Sequence, residues 1–102
     1  MYMSLEPMHL EEILGHLANL DGWDEINQDF IKKSFVFPDF NEALSFAGKI
    51  GVVADAQNHH PTLIISYGKV VVKLSTHDAE GITLKDFELA KLIDELFDDF
   101  KN

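Results

Sequence analysis

Asp55-Ala56-Gln57-Asn58-His59-His60-Pro61 brings a carboxylate and two imidazoles close together, and a third imidazole follows at His77. An imidazole titrates near neutral pH, so several in one site can give one proton and take another during a single reaction. Zinc hydrolysis is the rival chemistry, since three histidines plus water make a known catalytic arrangement. It ranks second, because neighbours on an extended chain point to opposite sides, so His59 and His60 cannot both join His77 on one ion unless the backbone turns there. A Ser–His–Asp hydrolase ranks lower: Ser66 and Ser75 fall in strand-like runs and no nucleophile-elbow sequence is present. A lone His–His step is ordinarily surface or loop. Here the fold is expected to bring a distant third histidine to the same place, and packing imidazoles together costs solvation unless they bond to something.

That expectation rests on a hairpin. Thr62 to Tyr67 and Val70 to Thr76 alternate as strands, joined by Tyr67-Gly68-Lys69-Val70, whose central Gly-Lys suits a type II′ turn. This register sets Ser66 opposite Val71, Leu63 opposite Leu74 and His60 opposite His77. Counted from the turn, the histidines form a non-hydrogen-bonded pair with Cβ atoms about 4.5–5.5 Å apart. Pro61 has no N–H to give and should fray the ladder beside them. Leu63, Ile65, Tyr67, Val70, Val72 and Leu74 would share a face covered by helices, with Thr62, Ile64, Ser66, Val71, Lys73 and Ser75 opposite.

Three helices frame the strands. The first is expected to open at Ser4, with Glu6 and Pro7 in its first turn, to carry Leu10, Ile13, Leu14 and Leu17, and to end at Asp21-Gly22. Its His9 and His16 read as solvated surface residues. Trp23 to Ile26 and Phe30 to Phe37 read as antiparallel strands, with Trp23 in the core. The second helix begins where Asp39 caps and Glu42 reaches back, carries the stripe Phe40, Ala43, Ala47, Ile50 and Ala54, and delivers Asp55 before stopping near Asn58. The third follows the capping sequence Thr83-Leu84-Lys85-Asp86, with Phe87, Ala90, Ile93, Phe97 and Phe100 inward. Asp86 reads both as helix cap and as a carboxylate flanking the histidines; the acidic run Asp94 to Asp99 reads as a solvated face.

The predicted order is α-β-β-α-β-β-α, an α+β fold with a four-stranded antiparallel sheet and three helices on one face. At 102 residues with 46% hydrophobic content, one domain spanning 1–102 is expected. The absence of cysteine excludes disulfides and thiolate chemistry. A formal charge of −10 argues against nucleic acid. No stretch has the character of a leader or a membrane span, so a cytoplasmic location is expected.

The chain resembles the pterin-4a-carbinolamine dehydratase family along nearly its whole length. The resemblance is carried by Asp55-x-x-x-His59-His60-Pro61, Tyr67, Ser75-Thr76-His77, Gly81-Ile82-Thr83-x-x-Asp86, Gly22-Trp23 and Phe35-x-Phe37-x-Asp39-Phe40. It implies removal of water from 4a-hydroxytetrahydropterin to give the quinonoid dihydropterin, in recycling of the cofactor of an aromatic amino acid hydroxylase. Pterin is then the substrate, and neither a metal nor an organic cofactor is implied. His59, His60 and His77 match the family's active-site histidines, Asp55 and Asp86 its supporting carboxylates. Leu63 departs from the pattern, standing where many relatives carry an aromatic residue. On the chemistry of this dehydration, His59 and His77 are assigned to proton transfer and His60 mainly to binding, with Asp55 and Asp86 orienting imidazoles. It also implies a homo-oligomer, and it supplies the alternative of a binding module, since some members act as dimerisation cofactors of a transcription regulator. A homo-dimer or tetramer is also expected from Val70 to Leu74, read as an uncovered sheet edge, and from a second apolar face of Leu89, Leu92 and Leu96.

Overall fold

A computed structural model describes residues 6–101. Its elements run α1 (Leu10–Leu17), β1 (Asp24–Ile26), β2 (Phe30–Val36), α2 (Phe40–Gln57), β3 (Thr62–Ser66), β4 (Lys69–Leu74), a 3₁₀ turn (His77–Ala79) and α3 (Leu84–Lys101). This is the expected α-β-β-α-β-β-α order, folded as an antiparallel sheet of order β1-β2-β4-β3 with the helices on one face.

Alternation decides which face the helices cover. Ile31 and Phe35 from β2, with Val70, Val72 and Leu74 from β4, are buried, whereas Ser34 and Val36 lie exposed on the other side. Trp23 is in the core as expected, and its indole N–H donates to Asp94 at 3.0 Å. The same carboxylate pairs with Lys33 at 2.8 Å, so the acidic run of α3 is tied to the sheet at that point rather than wholly solvated.

Asp39 caps α2 by accepting from the Glu42 N–H at 2.8 Å, as its position predicts. The buried stripe of α2 is Ala43, Phe46, Ala47, Ile50 and Ala54, with Phe46 where Phe40 was expected. Phe40 begins the helix and stays 44% exposed, while Phe46, nearly two turns in, meets Phe35, Phe37, Phe97 and Phe100 at ring separations of 5.1–5.7 Å. Burying such a ring contributes about 2–3 kcal/mol.

α1 is shorter than its composition suggests. It starts at Leu10, where the His9 N–H donates to Glu12 at 3.2 Å, and Pro7 lies ahead of it in the segment whose Met8 N–H donates to Ile82 at 2.7 Å. Ser4 is outside the described residues. The helix ends at Leu17, ahead of Asp21-Gly22, because the Asn19 and Leu20 N–H groups turn back to His16 and Leu17. His16 is not a solvated residue: it is half-buried, its ring stacked on Phe87 at 4.9 Å.

Two strand expectations are corrected. The hairpin pairs Ser66 with Lys69, Leu63 with Val72 and Thr62 with Lys73, so Tyr67-Gly68 takes the turn, not Gly68-Lys69. Gly68 sits at φ +74°, which glycine tolerates at the second central position of a turn, and its carbonyl accepts from the Phe37 N–H at 2.8 Å. Contact with the end of β2 therefore selects the turn. Since partners slip by two residues, every side chain keeps its face, apart from Tyr67, which is exposed on the turn. His60 and His77 are consequently not cross-strand partners. The second correction concerns β4, which is not an edge: β2 and β3 pair on either side of it, leaving β1 and β3 as the edges. Likewise Leu89 is in the core at 1% exposure, and Leu92 and Leu96 are half-buried, so they do not make a separate outward face.

Candidate active site

The end of α2 aims the first two histidines apart. Asn58 closes the helix at φ 51°, in the left-handed region that asparagine tolerates, and the His59 N–H returns to the Ala54 carbonyl at 3.1 Å. From there His60 folds back along α2, its Nε2 2.8 Å from Asp55, an exposed pair with side chains 60% and 80% accessible. His59 goes the other way, into the start of α3, where its Nε2 lies 2.6 Å from Asp86. This pair is of another kind, for Asp86 is fully buried and the His59 side chain only 11% exposed.

Asp86 is held on every side. Its Oδ2 accepts from the Thr83 N–H and from the Thr76 hydroxyl, each at 2.9 Å, and the two threonine hydroxyls lie 2.6 Å apart. The first of these bonds is the cap of α3. The same carboxylate thus caps a helix and holds an imidazole, so both roles expected of it are present.

His77 reaches the site by leaving the sheet. After β4 ends at Leu74, the Thr76 N–H donates to Gly81 at 2.7 Å, and the loop closed by this contact contains the 3₁₀ turn that begins at His77. Its ring is exposed and no carboxylate holds it among the described residues.

His59, His60 and His77 meet around one cavity of about 280 Å³, lined also by Ser75, Thr76, Asp78 and Lys85. The convergence expected from the sequence is therefore present, by a different route: a helix end and a loop, not one rung of a ladder. Asp86 stands behind the cavity through His59 and Asp55 beside it through His60. Lys85 was not singled out from the sequence; its place one residue before Asp86, on the first turn of α3, is the signal that it would share the site. Leu63 does not line the cavity, since it lies half-buried on the helix-covered face opposite Val72. Among the described residues no three histidine, aspartate or glutamate side chains are arranged to hold a metal ion, because His59 and His60 diverge toward separate carboxylates.

The family model described as pterin 4 alpha carbinolamine dehydratase matches residues 6–96. The chain belongs to that family. A relative from Sulfurisphaera tokodaii, provisionally named a pterin-4-alpha-carbinolamine dehydratase, is 50% identical over 86 residues, covering 84% of this chain and 91% of the relative. Among solved structures, one described as a transcriptional coactivator/pterin dehydratase from Brucella melitensis is similar at TM-score 0.84 and 30% identity, covering 89% of this chain and 98% of that one. A pterin dehydratase-like protein described as a RuBisCO assembly factor is similar at TM-score 0.64 and 19% identity, over 74% and 89% of the two chains, a likeness of fold alone. Among the described residues of this pterin-4a-carbinolamine dehydratase family member, no helix is long and apolar enough to cross a membrane.

Proposed function

We propose that this protein is a hydro-lyase that removes water from 4a-hydroxytetrahydropterin. The observation that carries the reading is the meeting of His59, His60 and His77 around one cavity, with His59 backed by a buried carboxylate. In the reaction the carbon–oxygen bond at C4a breaks, its oxygen gains a proton and leaves as water, and the adjacent ring nitrogen gives up its proton as its electron pair closes the new double bond. One proton goes in and one comes out, which needs an acid and a base within reach of one ring system.

His59 is the base in this reading. The Asp86 carboxylate steadies the imidazolium that forms when His59 takes the ring-nitrogen proton, as a buried carboxylate does in other histidine-based sites. His77, with no carboxylate of its own, delivers the proton to the departing hydroxyl. His60, oriented by Asp55 at the exposed rim, binds substrate. Pterin is the substrate here, and no metal or organic cofactor is required for the two proton transfers.

A stopped-flow assay of 4a-hydroxytetrahydropterin dehydration tests this directly. The protein should accelerate the reaction, and His77→Ala should slow it by roughly 100-fold or more while the domain stays folded. Activity should persist after exhaustive chelation; loss on chelation with recovery on adding zinc would replace this reading by the three-histidine metal site. A second reading, binding to a transcription regulator, is favoured by the description of the Brucella protein. A folded His59→Ala/His77→Ala variant separates the two, since a biological effect that survives it is not dehydration.

A further inference from the structure

A backbone N–H, a chain of hydroxyls and one imidazole nitrogen converge on Asp86. The Thr83 N–H can only donate, and it does so to Oδ2 at 2.9 Å. The Thr76 hydroxyl, 2.9 Å from the same oxygen, has one proton, and it points at the carboxylate. That proton is then spent, so across the 2.6 Å contact between the threonines it is Thr83 that donates and Thr76 that accepts. Thr83 Oγ1 in turn accepts from the Lys85 N–H at 3.3 Å. Every proton in the chain from Lys85 through Thr83 and Thr76 is thus directed to Oδ2, and Oδ1 is left for His59 Nε2 at 2.6 Å. Thr76 and Thr83 are 4% and 6% exposed, so these hydroxyls find their partners mainly within the protein.

We infer that Thr76 is a positioning residue: its hydroxyl, locked in direction by Thr83, keeps Asp86 an acceptor toward His59, and so holds the ring proton on Nε2 and leaves the Nδ1 lone pair as the base. This deepens the dehydratase reading and rests on it only for the rate effect. The hydroxyl matters for its proton rather than its bulk, so valine, of similar shape, should abolish the effect and serine should keep it. With its hydroxyl gone, Oδ2 retains only the Thr83 N–H, the Thr83 hydroxyl loses its acceptor, and the less stabilised carboxylate competes with His59 Nε2 for the proton between them.

The test uses imidazole nitrogen NMR of histidine-labelled protein, with the His59 signals assigned by their absence in His59→Ala. The wild type should show His59 as the tautomer protonated at Nε2, Thr76→Val should show a mixture or the other tautomer, and Thr76→Ser should restore the wild-type signature. In parallel, dehydration should fall roughly tenfold or more in Thr76→Val, mainly in kcat, and recover in Thr76→Ser. An unchanged His59 signature in folded Thr76→Val overturns the inference, as does failure of serine to restore it. If Thr76→Val does not fold, Thr76→Ala removes the same hydroxyl with less bulk; an unaltered His59 signature there overturns the inference equally. A tautomer change in a protein whose wild type has no dehydratase activity would leave the positioning role standing and remove the proposed reaction, so the two ideas fail separately.

Discussion

Replacing Asp86 by alanine would take an acceptor from the Thr83 N–H, the Thr76 hydroxyl and His59 Nε2 together. Each buried donor left without a partner costs about 1–3 kcal/mol, and two of the three belong to groups less than 10% exposed. A loss of at least about 2 kcal/mol corresponds to a melting midpoint lowered by roughly 8–16 °C in a domain of this size. Asp86→Ala should therefore show both a depressed midpoint in calorimetry and a loss of dehydration, whereas His77→Ala, at an exposed ring, should show only the second. If Asp86→Ala melts with the wild type, the carboxylate is not the hub of this network. Asp86 could be named from the sequence on both counts, cap and site. Of its threonine partners only Thr83 was legible, as the start of the capping sequence; that Thr76 would join it was not, since only the folded loop brings the two hydroxyls within one hydrogen bond.

Gly81 shows how an element far from the chemistry sets the position of a site residue. Its backbone pairs with Thr76, closing the loop that carries His77, and a Cβ added to it would sit 2.7 Å from Cβ of Pro7. The segment before α1 therefore lies directly on this loop, and the Met8 N–H bond to Ile82 holds it there. Gly81→Ala should force the two apart, lowering stability and also activity, because Thr76 and His77 move with the loop. Thermal melting and the dehydration assay measured side by side check this; a variant that loses stability while keeping full activity would show that the loop tolerates the shift. The sequence marked Pro7 for the first turn of α1, a reasonable place by helix rules alone. What it does instead depends on a contact with a glycine far along the chain, which no local preference encodes.

For the whole molecule, the sheet order relocates the argument for assembly. β4 is covered on both sides, but β3, Thr62 to Ser66, is an edge with no charged residue in it, and an edge of that kind is a template for pairing. A two-fold copy joined there would use one patch twice. Light scattering at micromolar concentration should give at least twice the monomer's 11.6 kDa. A mass near 11.6 kDa would mean that the β3 edge is protected within the chain.

Alternation of period two and the helical stripes identified the fold class, the face the hairpin strands bury and most core positions of the helices, because these depend on neighbours in sequence and survive a slip of two residues. The same alternation cannot choose between two adjacent turns, so the partner of His60 was not determined locally; the Phe37 N–H bonding to Gly68 decided it from another strand. Strand order was equally undetermined, since placing β4 between β2 and β3 reflects which apolar surfaces meet, not the order in which they are written. The three histidines were legible as a set by residue type and spacing. That they meet through the end of α2 and a loop off β4, with one imidazole on a buried carboxylate and another on an exposed one, was decided only when α3 packed against the sheet and carried Asp86 out of water.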